Sequence, residues 1–449
     1  MTPDQWLERL ARTLDERRVR LNLLRSYMDG CAPLPEGAEG CREAYQRFQK
    51  KARTNFGELV VDAVVERMIV SGFRVGDRNQ DDDEARAIWK RNRLQIGSSD
   101  VHRDMVGLSH GYTIVSPGPK GALISCERPE QVITEHDARR PDLVRAGMKV
   151  YRDAVDGMDV AFLHIPGEVH VYSRPYRDDL GKPLPIASVS GNWELRESAA
   201  SGLNFVPVFP FVNRGGLGEF ETHIDVLDRI NWDVLQRLVI MAMQAYRQRA
   251  TKGDLPEEDD DGNQIDYAEM FKPGPGALWQ LPEGVELWES QQSDLTPVLA
   301  ASKDDITHLA AVTRTPMSTL IPDGANQSAE GASFAREGLV FKTGDRIERA
   351  GAQWDATIGA ALAIERGEAD IVEDVRTMWM PVERQSLAER ADAATKAADV
   401  PWRTRMTDIW QFPADQIDRM EVERAADSLN ASLAAPPQFI QPVADVPAG

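Results

Sequence analysis

The longest amphipathic pattern in the chain runs from Glu221 to Lys252. Apolar residues recur there at steps of three and four, and a second apolar row widens the stripe. At 1.5 Å per residue, this spacing predicts one helix of roughly 45 Å. Thr222 is the expected N-cap, with Asp225 at the capping-box distance, and Gly253 is the expected stop. Polar residues such as Gln244 interrupt the apolar run, which argues against a membrane span and leaves a core helix or an assembly rod.

Helix and strand patterns alternate before this segment. Residues 3–28 have the spacing of an amphipathic helix. Further helices are predicted at 41–53, 56–67, 81–94 and 98–110, with Ser99 as a cap, and a strand at 68–75. From Tyr112 to Pro175 the pattern changes to period two in six short runs, which predicts an antiparallel sheet. Residues 205–220 contain two prolines and predict an extended connection, so the fold class is α+β.

An acidic, helix-breaking run at 254–266 follows the long amphipathic segment. Short strands around Trp279 and Trp288 complete an insert of about forty residues, which is too small for a large core of its own. The rest of the chain predicts a helix at 295–315, a break at 315–331, a long helix at 328–365, a strand at 374–382, a helix at 386–399, a helical pair at 401–428 and a loose tail at 430–449. Four glycines along the long helix predict bending or close packing: Gly338, Gly344, Gly351 and Gly359.

The charge balance restricts the kind of partner. The 449 residues include 72 acidic and 52 basic side chains, for a formal net charge of −20. Proteins that grip nucleic acid by its phosphates need a basic surface, so a conventional DNA-binding protein is disfavoured. An acidic surface past which DNA slides without sticking remains compatible. No apolar run follows Met1, which argues against a signal peptide and for a cytosolic protein.

Catalytic and metal-binding motifs are not found. P-loop, GxGxxG, HExxH and GxSxG signatures do not occur. The three cysteines, Cys31, Cys41 and Cys126, lack the CxxC spacing of a metal site. His164 and His170 are placed to approach each other across a hairpin, although surface histidines are the favoured interpretation. The acidic run lacks the alternation of a calcium loop. We therefore predict no enzyme, no cofactor and no metal.

Five ordered stretches resemble a known family. They are NFGELVVDAVVERMIVSGFRV at 55–75, the Trp89–Asn92–Leu94 segment followed by Val101, Gly107, Gly111 and Tyr112, VPVFPFVNR at 206–214 with Asp228, Asn231 and Trp232 downstream, TPMSTLIPDGANQSAEG at 315–331, and SLAERADAATKAADVP at 386–401. Each motif alone is weak, but their order over about residues 5–428 resembles that of phage portal proteins of tailed siphoviruses, typical of phages of actinobacteria.

The resemblance implies a division of the chain into the parts of a portal subunit. These are a mixed α/β wing at 1–220, stem helices at 221–252 and 295–315, a small β-containing clip at 253–294, a tunnel-loop region at 316–331, a long kinked helix with a wing strand at 332–383, a helical crown at 384–428 and a flexible tail at 429–449. The acidic insert Glu257–Asp261 enlarges the clip beyond the family pattern, which leaves open which clip residues contact the packaging motor.

The resemblance also implies a function. Portal proteins form rings, usually of twelve subunits, at one capsid vertex, where double-stranded DNA enters and later leaves. The implied partners are further copies of the chain, the DNA in the channel, the terminase large subunit, the head–tail connector, and the major capsid protein or scaffold, with no membrane. The residues implied to face DNA in the tunnel loop are Asp323, Gly324, Asn326, Gln327 and Ser328. Possible channel-lining residues are Lys303, Arg314 and Lys342, for which salt bridges between subunits are an equal alternative. The clip contacts implied are Glu257, Asp260, Trp279 and Trp288.

Two other classes of protein compete with this interpretation. A different virion component, such as a head–tail adaptor, would not need the order of helix, small insert, helix, loop and long helix. A metal-dependent nuclease would need a specific acidic site, and no aspartate in the sequence is singled out for that role.

Overall fold

The computed structural model describes the whole chain apart from residues 36–47, 77–80, 177–187, 246–248, 254–257, 259–261, 263, 265, 268–284, 290–293, 322–328, 384–386 and 435–449. The chain divides into two compact units. The first comprises Met1–Ala32, Asn55–Ile224 and the chain from Ala310 onward, and the second comprises Pro33–Thr54 and Asp225–Leu309.

The fold mixes helices and antiparallel strands. The labelled helices are α1 (Pro3–Met28), α2 (Phe56–Val65), α3 (Asp83–Arg91), α4 (Leu94–Leu108), α5 (Ile224–Ala245), α6 (Thr296–Thr313), α7 (Met317–Leu320), α8 (Ala329–Arg366), α9 (Leu387–Lys396), α10 (Trp402–Thr404) and α11 (Ala414–Ala434). The strands are β1 (Val70–Val75), β2 (His110–Gly118), β3 (Gly121–Glu127), β4 (Val132–His136), β5 (Val144–Asp153), β6 (Met158–Ile165), β7 (Glu168–Pro175), β8 (Glu194–Ala200), β9 (Val208–Val212), β10 (Arg249–Lys252), β11 (Glu286–Glu289) and β12 (Val375–Trp379). Short 3₁₀ turns lie at Arg214–Gly216 and Glu221–His223, and a π-helical turn lies at Arg405–Ile409.

The first unit is built on two antiparallel sheets and a strand pair. The larger sheet has the order β4-β5-β6-β7-β8, the smaller has β3-β2-β9, and β1 pairs with β12. Helix α1 packs on the larger sheet through Leu10 and Leu14, which are fully buried with Met148 and Leu163 from the strands. Thr2 caps α1 through a capping box with Gln5. The helix predicted at 3–28 is therefore confirmed.

Helix α8 packs on β2, β3, β9 and β12. At its centre Trp354 is fully buried and lies edge-on to Trp89 and Phe211. The indole N–H of Trp354 faces His102 Nε2 at 2.8 Å, so this buried polar group has a partner. Burial lowers the pKa of His102 to about 3, which keeps the imidazole neutral as the acceptor.

The predicted period-two region is confirmed as six antiparallel strands between His110 and Pro175. The strands divide between two sheets, because β2 pairs with β3 and β9, and neither β2 nor β3 pairs with β4. Strand β8 was not predicted. All seven of its residues are exposed, so it lacks the alternation that marks a half-buried strand.

The predicted helix Glu221–Lys252 is too long at both ends. A 3₁₀ turn that contains Thr222 precedes α5, and no side chain caps that turn, so the Thr222 N-cap prediction is wrong. At the other end Arg249–Lys252 form β10, which pairs with Glu286–Glu289. The 22-residue helix that remains is about 33 Å long. Ser99 is not a cap either, because α4 begins at Leu94.

Other C-terminal predictions hold, with shifted boundaries. Helices α6 and α8 match the predictions at 295–315 and 328–365, and β12 matches the strand at 374–382. Helix α11 continues to Ala434, so the predicted loose tail begins too early. No helix among the described residues has the length and apolarity to cross a bilayer.

The four glycines of α8 differ in their surroundings. A Cβ on Gly359 would lie 2.3 Å from the Val372 carbonyl oxygen, so that glycine permits close backbone packing. A Cβ on Gly344 would meet no atom within 4 Å. Close packing is therefore confirmed at Gly359 and not at Gly344.

Within the second unit, α5 and α6 are joined by polar side chains. Arg229 of α5 donates to Asp305 Oδ1 of α6 at 2.7 Å and contacts His308 Nδ1 at 3.3 Å. Thr54 donates through its backbone N–H and its hydroxyl to Asn231 Oδ1, each at 2.8 Å. Leu227, Ile230, Leu235, Ile306 and Leu309 are buried in these two helices.

Candidate functional site

A buried charge cluster lies in the first unit where three parts of the chain meet. Glu219, in the connection after β9, forms ion pairs with Arg346 at 2.6 Å and with Lys342 at 3.5 Å. The side chains of Glu219, Lys342 and Arg346 are 5%, 6% and 9% exposed. Lys342 and Arg346 are four residues apart on α8, and this spacing places both cations on one helix face. We call these three residues the charge cluster.

Local hydrogen bonds hold Glu219 in place. Its backbone N–H donates to the Val106 carbonyl at 2.9 Å. The side-chain amide of Asn213 donates to Glu219 Oε1 at 3.2 Å and to the Leu217 carbonyl at 2.7 Å. These hydrogen bonds hold the carboxylate beside the cations of α8.

Lys342 also caps the end of α6. Its Nζ donates to the Thr313 carbonyl at 2.7 Å. The last carbonyls of a helix lack partners within the helix and carry partial negative charge, so a cation there is favourable. Burial lowers the Lys342 pKa, and the Glu219 carboxylate opposes that shift. The lysine therefore fixes the junction between the end of α6 and α8.

A cleft of about 380 Å³ opens beside the charge cluster. It is lined by the segment from Asn213 to His223, the end of α6 and the Phe341–Arg346 part of α8. We call it the basic cleft, because it is lined by Arg214, Arg314, Lys342 and Arg346 against the carboxylates of Glu219 and Asp345. Burial opposes ionisation of Asp345, but hydrogen bonds from Arg349 and Arg346 outweigh it and lower the Asp345 pKa.

The three residues predicted to line a channel differ in their surroundings. Lys303 is exposed on α6 in the second unit. Arg314 is exposed at the end of α6 in the first unit and lines the basic cleft. Lys342 is buried in the charge cluster, where its ion-pair partner belongs to the same chain. The ion pair of Lys342 lies within one chain, so it is not the salt bridge between subunits that was the alternative, and channel lining by the three residues stays a prediction.

Most of the other predicted contact residues lie outside the described part of the chain. This holds for the tunnel-loop residues Asp323, Gly324, Asn326, Gln327 and Ser328, and for the clip residues Glu257, Asp260 and Trp279. Trp288 is described, and its side chain is 55% exposed on β11. The structure therefore shows one aromatic side chain of the predicted clip available for contact.

The two histidines considered as a pair point to opposite faces of the larger sheet. His170 lies opposite Leu163 and His164 lies opposite Val169, so the register separates them. His170 instead bonds Ser198 Oγ and Glu168. Burial, with Lys149 nearby, lowers the His164 pKa to about 4. Across the described residues, no group of three His, Cys, Asp or Glu is placed to hold a metal ion, and Cys31 and Cys126 are free thiols.

The sequence did not single out Glu219 or Arg346. Arg346 was within reach of helix periodicity, because it follows Lys342 by one turn of a predicted helix. No sequence pattern near Glu219 predicts its ion pair, since its partner Arg346 is 127 positions away. Only the packing of the connection after β9 against α8 brings them together.

Comparisons with known proteins agree on one family. The model described as "Phage portal protein, SPP1 Gp6-like" matches residues 7–428. The portal protein of Mycobacterium phage D29 is 26% identical over 375 residues, which cover 77% of this chain and 72% of the relative. The portal protein of Mycobacterium phage L5 is 26% identical over 378 residues, which cover 78% and 73%.

Solved structures of gene transfer agent particles contain similar chains. One from the virion of a native particle has a TM-score of 0.44 at 12% identity and covers 86% of this chain and 97% of that chain. One from the neck of an empty particle has a TM-score of 0.46 at 12% identity and covers 85% and 96%.

Proposed function

This chain belongs to the SPP1 Gp6-like family of phage portal proteins, and we propose that its ring is the conduit through which double-stranded DNA is packaged and later ejected. The observation that carries the proposal is the family match over residues 7–428, which is nearly the whole chain. As a portal protein the chain is a structural component of the virion, at the portal vertex, and not an enzyme. The DNA path, the subunit number and the docking partners are the proposed part.

Electrostatics supports the conduit. Each subunit carries a formal charge of −20, so a ring of them repels the phosphate backbone on average. Affinity for DNA comes from cations that displace counterions, and two of the basic side chains near the end of α6 already form ion pairs within the chain, Lys342 with Glu219 and Arg346 with Glu219 and Asp345. A channel built this way lets DNA move without a fixed binding site.

The described helices support the proposed stem. We assign α5 and α6 as the two stem helices, and the Arg229–Asp305 ion pair at 2.7 Å ties them together. Asp233 lies beside the same pair, where burial and the neighbouring Asp305 raise its pKa. Because β10 pairs with β11, the proposed clip includes Arg249–Lys252 rather than starting at residue 253. The wing, tunnel loop, long helix and crown keep the assignments that the family resemblance gives.

The proposed partners follow from these parts. The clip, with the exposed Trp288 and an acidic run in its sequence, docks the terminase large subunit and later the head–tail connector. The wing and crown contact the major capsid protein or scaffold. Twelve copies of the chain close the ring.

Negative-stain imaging of the purified protein, alone and co-produced with capsid protein, tests the ring. We expect a monodisperse ring with a central hole wide enough for a DNA duplex. A compact monomer under every condition would contradict the proposal, and a head–tail adaptor is the class of protein it would then favour.

A deletion within the tunnel loop tests the DNA path. Shortening the chain between Gly324 and Ser328 should leave rings intact and impair packaging of DNA into capsids. The matched control removes residues from the tail after Ala434, where we expect rings and packaging to be unchanged. Normal packaging by the tunnel-loop deletion would contradict this assignment.

A further inference from the structure

We propose that the basic cleft is a docking surface for an acidic, partly apolar surface of a second copy of this chain. The inference rests on the proposed ring, and it assigns one side of the contact between neighbouring subunits. It is carried by the charge of the cleft, by the apolar side chains at its rim and by the acidity of the rest of the chain.

The positive charge of the cleft is only partly neutralised from within. Glu219 is shared by Lys342 and Arg346, and Asp345 is shared by Arg346 and Arg349. Arg214 and Arg314 are exposed, and neither forms an ion pair with any described residue. Four lining cations thus face two carboxylates, and the two exposed guanidinium groups remain available to a partner.

The backbone conformation of Arg314 also favours a contact made by its side chain. It follows the last turn of α6 with a φ of 51°, in the left-handed region that favours glycine. A non-glycine residue in that region costs about 1 kcal/mol. The turn itself therefore does not call for arginine, and the side chain lines the cleft. A contact made by the guanidinium gives this residue type a physical reason.

The rim of the cleft is apolar. Phe341, Leu217 and Val312 are 69%, 40% and 37% exposed, and all three line the cleft. Exposed aromatic and aliphatic side chains around arginines are typical of protein–protein interfaces, where they form the desolvated centre of the contact. Duplex phosphates need cations and offer nothing to apolar groups, so the rim favours a protein partner over DNA.

A second copy of the chain provides the complementary charge. A formal charge of −20 makes carboxylates the prevalent charged groups on the subunit surface. A closed ring uses a heterologous interface, in which each subunit presents two different, complementary surfaces to its two neighbours. The basic cleft fits the role of the receiving surface, and an acidic surface of the neighbour is its counterpart.

Single substitutions test the cleft in the full-length protein. The variants are R214E, R314E and F341S, and ring formation is measured by mass photometry across a concentration series at fixed ionic strength. Each should raise the midpoint concentration of ring assembly about tenfold or more, because loss of an interface anchor or charge pair weakens association by that order. The effect of R214E and R314E should shrink as salt is raised, whereas the effect of F341S should persist.

Two controls separate the cleft from general effects. R139E changes the net charge by the same amount as R214E and R314E, at an exposed position in the loop between β4 and β5. L195S is the control for F341S and removes an exposed apolar side chain from β8. Both should assemble like the wild type. Circular dichroism and urea unfolding of every variant check that the monomer folds normally.

The outcomes distinguish this inference from the ring itself. Wild-type rings with unchanged midpoints for all three cleft variants would overturn the inference and leave the ring standing. Wild-type protein that never assembles, even with capsid protein present, would overturn both. Loss of binding to a labelled DNA duplex in the cleft variants, with assembly unchanged, would reassign the cleft to DNA and also overturn the inference.

Discussion

Replacing Glu219 by glutamine is the sharpest test of the charge cluster. The substitution keeps the shape of the side chain and removes its charge. Lys342 would then remain as a buried cation without its carboxylate partner, and Arg346 would keep only Asp345. We expect the free energy of unfolding of the first unit to fall substantially.

The magnitude follows from the distances. At an effective dielectric constant of about 20, ion pairs at 2.6 Å and 3.5 Å give roughly 6 and 5 kcal/mol of attraction. Desolvation of each buried ion offsets several kcal/mol of this, so the net value of the intact cluster is small. Removing the carboxylate leaves the desolvation cost of the two cations in place, and such changes typically cost about 3–5 kcal/mol. We therefore expect E219Q to lose about 3–5 kcal/mol.

A second variant shows whether the loss comes from stranded charge. K342M removes one cation and its hydrogen bond to the Thr313 carbonyl, and leaves Glu219 paired with Arg346. We expect a loss of about 1–3 kcal/mol from the lost charge-assisted hydrogen bond. The double variant E219Q/K342M should lose less stability than the sum of the two single losses, by at least about 1 kcal/mol. The reason is that the glutamine at position 219 then faces one buried cation instead of two.

Urea unfolding followed by tryptophan fluorescence measures these free energies at fixed pH and ionic strength. The matched control is E194Q, which makes the same chemical change in an exposed pair with Arg196 at 3.2 Å. Exposed pairs contribute about 0–1 kcal/mol, so E194Q should behave like the wild type. If E219Q lost no more stability than E194Q, the charge cluster would not be held together as described.

Two further predictions use other parts of the first unit. His164 has a pKa of about 4 against 6.5 for an unperturbed histidine, so its contribution is complete above pH 6.5 and is lost as pH falls toward 4. Between pH 7 and pH 4 the wild type should lose about 3 kcal/mol more than H164Q in urea unfolding, and equal losses would contradict this. In α8, G359A should destabilise the protein by about 1–3 kcal/mol because its Cβ would collide with the Val372 carbonyl. G344A meets open space and should stabilise by up to about 1 kcal/mol, so thermal unfolding should show opposite shifts for the two variants.

Much of the fold could be predicted where local periodicity decides the structure. Helices α1, α6 and α8 are long, and their predicted ends lie within a few residues of the observed ones. The end of α5 could not be predicted in this way. Arg249–Lys252 extend the helical pattern of the sequence, but pairing with Glu286–Glu289 places them in a strand. Because the partner strand is distant in sequence, no local pattern predicts this pairing.

At the candidate site, too, local sequence predicted part of the arrangement and tertiary packing decides the rest. Lys342 was recognised as a basic residue on a helix, and its role was left between channel lining and a salt bridge between subunits. Its contacts within the chain, with Glu219 and the Thr313 carbonyl, arise through tertiary packing. Sequence periodicity places side chains on the faces of single elements, and it does not say which element covers each face. Conserved or covarying pairs in related sequences would be the signal able to link Glu219 with Arg346.

The use of the basic side chains connects fold and function. Lys342 and Arg346 form ion pairs inside the first unit, where Lys342 holds the end of α6 against α8 and Arg346 holds Glu219. The cations that remain exposed near this junction, Arg214 and Arg314, lie beside apolar side chains that suit a protein partner. A chain with a net charge of −20 thus directs these basic residues toward its own packing and, as we propose, toward its neighbour. Basic residues used in these ways do not hold phosphates, and a net negative charge is the electrostatic condition for DNA to pass through a ring without binding to it.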